Sequence, residues 1–137
     1  MLGGCVIPYE LGLLGHSDAD VLIHAVMDAL LGAAAMGDIG RIFPDNDDRF
    51  KNASGLHMLK EVKKMLKSAS LAVSNIDGII VAQEPRLAGF LPQMAKNIAE
   101  VLEISAGAVN VKATTEERMG FTGMGEGMAA HAVALLI

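Results

Sequence analysis

The stretch HSDADVLIH, residues 16–24, places His16, Asp18, Asp20 and His24 within nine positions. On a helix, Asp20 and His24 would share one face, and an imidazole so placed is a good zinc ligand. His16 would stand just before that helix, where backbone N–H groups lack intrahelical partners and attract anions. The plainer reading is a capped helix start with a core histidine, since zinc needs three or four ligands and this stretch offers two or three. A second cluster, FPDNDD at residues 43–48, has carboxylates at 45, 47 and 48. It fails as a calcium loop, because Arg49 and Phe50 fall where that loop requires an acid or amide and then glycine. A third, KATTEERMGFTGMGEG at residues 112–127, joins hydroxyls and carboxylates to glycines at 120, 123, 125 and 127. Open N–H groups and hydroxyls suit phosphate oxygens, and a neighbouring carboxylate can hold a divalent cation against them, although taken alone the stretch fits a glycine-rich turn between strands slightly better. It is neither a dinucleotide fingerprint nor a Walker loop: the glycines lead into strand-like sequence, and the Walker lysine is missing. AQEPRLAGFLPQM, residues 82–94, has no hydroxyls and few charges, and suits a pocket that reads a flat base through backbone groups. Glu126 and His131 fit structural or interface roles better than catalytic ones.

These groups need elements to hold them. Cys5 to Ile7 reads as the end of a short strand closed by Pro8. Ser17, with Asp18 and Asp20 after it, reads as an N-cap with acids in the first turn. Apolar residues at helical spacing (Val21, Leu22, Ala25, Val26, Ala29, Leu30, Ala33) predict a helix to about Gly37, with Ile23, Met27 and Leu31 widening its stripe. Asp38 to Phe50 reads as a long loop, which favours a functional role. Leu56, Leu59, Val62, Leu66 and Ala69 predict a helix over 54–69, with Lys60, Lys63, Lys64 and Lys67 on a solvated face. SLAVSNIDGIIVAQ predicts a strand, EPRLAG ends it, and Pro92 starts a helix through Leu102. AVNVKAT is a further strand. GMAAHAVALLI is apolar on both faces, as in a strand covered by helices on one side and a subunit partner on the other. The expected architecture is a layer of helices on a sheet, α+β or α/β.

The 137 residues suit one domain spanning 1–137. Hydrophobic residues make up 52% and aromatics 4%, so the core must be built from small and aliphatic side chains. That apolar share, at or above the usual range, leaves some surface for copies of the same chain. A net charge of −5 argues against nucleic acid, which needs a dense basic footprint. One cysteine, Cys5, rules out an intramolecular disulfide and is simplest in a reducing cytoplasm. Val21 to Met36, the longest apolar stretch, is interrupted by His24 and Asp28, so no membrane span is expected. Both ends break off in strand-like sequence, so strand sequence is expected beyond them.

LGGCVIPYELGLLGHSDADVLIHAVMDALLGAAAMGDIG, FPDND, LPQM and VNVKATTEERMGFTGMGEG, in this order and spacing, together resemble the 2-C-methyl-D-erythritol 2,4-cyclodiphosphate synthase family over nearly the whole chain. The resemblance implies an α+β domain assembled as a homotrimer, with active sites at subunit boundaries. It also implies an enzyme of non-mevalonate isoprenoid biosynthesis, which cyclises 4-diphosphocytidyl-2-C-methyl-D-erythritol 2-phosphate with release of CMP. By the same likeness His24 is a zinc ligand, and His16 and Ser17 meet the phosphates. His16 with Thr115 is the pair that stabilises the transition state. Asp38, Ile39 and Gly40, with Phe43, Pro44, Asp45, Asn46 and Asp47, match the segment over the methylerythritol moiety. Ala82, Gln83, Glu84, Pro85, Arg86, Leu87 and Ala88 match the cytidine pocket. Thr114, Thr115, Glu116 and Glu117 match the diphosphate end, with Glu117 holding magnesium or manganese. Phe121 and Met124 occupy the remaining matched positions. Glu116 stands where threonine or asparagine is common, and Met124 where an arginine often approaches phosphate. The family's other zinc ligands, an Asp-x-His segment, are expected on a strand ahead of Gly3 and Gly4, a segment these 137 residues do not contain. Two rival functions remain from the residues: a non-catalytic trimer that binds nucleotides or isoprenoid phosphates, and a metal-dependent phosphohydrolase.

Overall fold

The computed structural model describes residues 1–10 and 18–137. Its centre is a mixed three-stranded sheet ordered β2-β1-β3. Strands β1 (Val73–Val81) and β2 (Val109–Thr114) run parallel, while β3 (Ala129–Leu136) runs antiparallel to β1. A parallel pair needs a crossover, and helix α4 (Leu91–Leu102) supplies it. Helices α1 (Val21–Ala33) and α4 cover one face of the sheet, α1 over β1 and β3 and α4 over β2, with α3 (Gly55–Ser68) packed against both.

Alternation along the strands decides which face is covered. Ile76 and Ile80 of β1, Val109 and Val111 of β2, and Ala130, Ala132 and Ala134 of β3 meet the helices. The alanines, with Gly78, leave room for α1 to lie close: a Cβ at Gly78 would stand 3.0 Å from Leu22 Cδ1. The other face is open in the isolated chain, where Val133 is 71% and Leu135 58% exposed. On it Asp77 accepts hydrogen bonds from Asn110 Nδ2 (3.0 Å) and Lys112 Nζ (2.6 Å).

Several element boundaries differ from the sequence reading. Helix α1 starts from an N-cap at Asp20, whose side chain accepts from Ile23 N–H, and not at Ser17, which lies outside the described residues. It ends at Ala33, short of Gly37, because Ala35 adopts φ +57° and Met36 N–H turns back to Leu31 C=O. The closure is of the Schellman kind, made without the usual glycine, so sequence carries little trace of it. Residues 38–50 are no plain loop: they hold a one-turn helix α2 (Ile39–Ile42) and a 3-10 turn (Asp48–Phe50), capped by the Asp38 and Asp47 side chains. Cys5 to Ile7 form no strand. Leu2 and Cys5 instead close a tight turn through Gly3 and Gly4, both at positive φ. The glycine-rich run before β3 contains a further one-turn helix, α5 (Gly120–Gly123). Helices α3 and α4 lie within a residue of their expected limits, α3 because its apolar residues recur at helical spacing throughout and α4 because Pro92 marks its first turn.

Candidate active site

Parallel strands β1 and β2 end together, Val81 opposite Thr114, and the Ala82 N–H donates to Thr114 C=O at 3.0 Å. The chain then leaves the sheet in two directions, and a cavity of about 210 Å³ opens between the branches. This is where ligands bind in open α/β layers, beyond the carboxyl ends of the strands. One wall is Ala82, Gln83, Pro85, Arg86, Leu87 and Ala88; the other is Ala113, Thr114 and Thr115. Leu87 is buried, and its carbonyl accepts from Phe90 N–H as the chain turns into α4. Glu84, exposed, is not part of the lining. The two segments that the sequence likeness matched to a cytidine pocket and a diphosphate end, far apart in sequence, thus face one another.

Residues 113–121 are all exposed. Thr115 Oγ1 accepts from Glu117 N–H at 3.3 Å, and Arg118 N–H donates to Gln83 Oε1 at 3.1 Å. Glu117 and Arg118 both sit at positive φ, +50° and +67°. The Thr115 hydroxyl meets the Glu117 backbone N–H, and the exposed Glu117 carboxylate is a hard oxygen donor of the kind magnesium or manganese take, one or two carboxylates with several waters. Phe121 is 56% exposed and Met124 is exposed as well. Phe121, with Glu116, Met119, Val81 and His131, borders a separate cavity of about 440 Å³ at the open face of the sheet.

The start of α1 is built around Asp20, fully buried. Its carboxylate accepts from Gly3 N–H (2.8 Å), Gly4 N–H (2.8 Å) and Ile23 N–H (3.1 Å). Asp20 is therefore committed to backbone donors and does not join His24 as a metal pair. Asp18 is likewise engaged, accepting from Gly55 and Asp20 N–H groups. Asn97 Nδ2 donates to Gly3 C=O at 3.0 Å, which ties the Gly3–Gly4 turn to α4. His24 lies on the first turn of α1, half-buried. Among the described residues no three of His, Cys, Asp and Glu come together around a metal; one imidazole does not complete a zinc set. His16 and Ser17 lie outside the described residues.

Residues 38–47 do not line the cavity at 82–88. Asp38 caps α2 by accepting from Arg41 N–H, and Asp28 Oδ1 accepts from Ile39 N–H at 2.9 Å. Asp28 is a residue that the site reading missed; its signal was an acid inside an apolar helix. Ile39 is half-buried and Gly40 exposed, and Pro44 leads into exposed Asp45 and Asn46. Phe43 is turned inward, 7% exposed, with its ring edge-on to Phe50 at 4.7 Å between centroids. It anchors the segment rather than presenting a ring. Asp47 is held by Arg49 through Nε and Nη2, at 2.6 Å for the closest contact, which keeps its carboxyl below the usual range.

The family model for the YgbB family matches residues 1–137. The 2-C-methyl-D-erythritol 2,4-cyclodiphosphate synthase of Desulforamulus reducens is 57% identical over 136 residues, 99% of this chain and 87% of that protein. Among solved structures, the bifunctional IspDF of Campylobacter jejuni superposes with a TM-score of 0.95 at 43% identity, over 99% of this chain and 37% of that one. The chain thus spans a little over a third of that bifunctional protein. The IspF of Plasmodium falciparum, in complex with CDP, superposes with a TM-score of 0.79 at 31% identity, over 90% of this chain and 74% of that one.

Proposed function

We infer, from the premise that the chain belongs to the YgbB family, that it carries out the cyclodiphosphate synthase reaction, as a phosphorus–oxygen lyase. In that reaction an oxygen of the 2-phosphate of 4-diphosphocytidyl-2-C-methyl-D-erythritol 2-phosphate attacks the β-phosphorus. The bond from that phosphorus to the bridging oxygen breaks, CMP leaves, and 2-C-methyl-D-erythritol 2,4-cyclodiphosphate forms. The observation that carries the reading is the cavity at the ends of β1 and β2, walled by residues 82–88 on one side and 113–115 on the other. A wall of backbone groups and apolar side chains, with Gln83 and Arg86 among them, suits cytosine, and the hydroxyl-bearing wall suits the diphosphate next to it.

Phosphoryl transfer depends mostly on positioning and charge neutralisation, so no covalent nucleophile is required. Thr115 and His16 take the role of donors to the charge that builds on the transferring phosphoryl group. Ser17 and Thr114 bind the neighbouring oxygens. Glu117 holds the magnesium or manganese ion, whose contribution is to neutralise phosphate charge. Asp38, Ile39, Gly40 and the segment 43–47 serve the methylerythritol end. His24 supplies one zinc ligand, and the remaining ligands must come from outside the described residues.

The assembly is a homotrimer joined through the open sheet face. Two features support it: the exposed Val133 and Leu135 on that face, and the separation within one chain of residues 38–47 from the cavity at 82–88. A substrate that needs both segments would bridge two copies. No described helix is long and apolar enough to cross a membrane, and we place the enzyme in the cytoplasm.

Incubating the purified protein with substrate, zinc and magnesium, followed by ³¹P NMR, tests the function. A cyclic diphosphate with stoichiometric CMP and no free phosphate is expected. Nucleotide binding without turnover would make the protein a non-catalytic relative, and free phosphate with a linear product would make it a phosphohydrolase.

A further inference from the structure

The arm that carries Thr115 and Glu117 is exposed, so burial does not hold it. Yet two successive residues with side chains, Glu117 and Arg118, are kept in left-handed backbone conformation, at a cost of about 1 kcal/mol or more each. Such a conformation persists only when its surroundings enforce it. Two links act inside the arm, Thr115 Oγ1 accepting from Glu117 N–H and Glu116 C=O accepting from Met119 N–H. They set its shape, not where it stands. Gly123 of α5 lies against the Arg118 backbone, where a Cβ would stand 2.5 Å from the Arg118 carbonyl carbon, and from the β1 side the Gln83 side chain accepts from Arg118 N–H at 3.1 Å. Its neighbour Ala82 grips Thr114 through its backbone N–H. Two consecutive residues of the base-pocket wall thus hold the arm at both ends.

We propose that Gln83 is a positioning residue, whose side-chain oxygen, by accepting the Arg118 N–H, holds the Thr115–Glu117 arm in the geometry that serves the metal and diphosphate. Gln83 also lines the cavity, so one side chain couples the base site to the metal site. The proposal rests on the cyclodiphosphate synthase reading, in which Glu117 holds a divalent ion. Without the brace the arm relaxes toward ordinary backbone conformations, and the ion must reorder it on binding.

The test is Mn²⁺ titration followed by EPR, with CDP bound, on the full chain and on variants. Gln83→Met keeps length and removes the acceptor. Losing about 1 kcal/mol of brace should weaken Mn²⁺ half-saturation roughly fivefold, with the melting temperature unchanged because the arm is exposed. Arg118→Asn supplies the decisive background, since asparagine tolerates the left-handed region and keeps the N–H. There Gln83→Met should weaken Mn²⁺ by about twofold or less, because a turn that needs less enforcement needs less of its brace. Equal weakening in both backgrounds would mean that Gln83 acts directly on the ligand and would overturn the brace, as would unchanged Mn²⁺ binding in Gln83→Met. If the wild-type chain itself neither binds Mn²⁺ with CDP nor releases CMP from substrate, the synthase reading fails first, and the brace with it.

Discussion

At the scale of single residues, the acids in this chain divide by what their oxygens already hold. Asp20 looked in sequence like a partner of His24, but it is buried against three backbone N–H groups. Asp20→Ala strands all three donors, and a loss of about 3 kcal/mol or more is expected in urea unfolding. An unchanged midpoint would show that the Gly3–Gly4 turn does not depend on the clamp. His24 differs: it stands on the first turn of α1, and zinc retention in metal-competent protein should disappear in His24→Ala. Elemental analysis after desalting checks this, and full zinc content in the variant would remove His24 from the ligand set. Asp47 matched the family's segment over the methylerythritol moiety, and in this chain its carboxylate is paired with Arg49, two positions on. Residue type and spacing could not separate these cases, because a carboxylate facing backbone donors and one facing a ligand look the same in sequence.

The elements owe their arrangement to a few close approaches. Helix α1 can lie on β1 and β3 because glycine and alanines face it, and the tightest point is Gly78 under Leu22. Gly78→Val would push methyl groups into a space that already lies at contact distance, and should lower stability by about 1–3 kcal/mol. Thermal unfolding measures it, and an unaltered melting temperature would imply that α1 shifts freely on the sheet. Regular elements were readable where period and punctuation agreed, as for α3 with Ser54 at its start. The 38–50 segment was read as loop since two single-turn elements capped by their own aspartates have no period to detect.

For the whole molecule, the open sheet face is the contact proposed to join the chains. It carries Val133 and Leu135 beside the Asp77–Lys112 pair. Val133→Glu places a charge in the middle of the proposed trimer contact, and light scattering should then report monomer where the parent chain reports trimer. A trimer that persists would move the interface elsewhere. The same face has a pH signature. Hydrogen bonds from Lys112 and Asn110 hold the Asp77 carboxyl below its usual range. A group lowered by folding stabilises the fold above its unfolded value, near pH 4, and that contribution is lost as pH falls through the lower folded value. Asp47, Glu61 and Glu103 are lowered too, so the diagnostic is a difference: Asp77→Asn should lose less stability than the parent as pH falls below about 4. Parallel acid unfolding curves would show that the pair carries no linkage.

The sequence alone was enough to place the chain in its family, since four motifs in fixed order are too specific to arise from composition. The family resemblance also marked out the segments at 82–88 and 114–117 as the expected cytidine and diphosphate ends, which residue types alone left as a strand-to-helix connection and a glycine-rich turn. Only the tertiary structure could decide that these two segments share a cavity while 38–47 does not, because that depends on β1 and β2 ending in register. Long-range commitments were equally hidden: Asp20 to Gly3 and Gly4, and Gln83 to Arg118. Each satisfies a polar group or fills a space created by distant parts of the chain, and local sequence carries no record of such a partner.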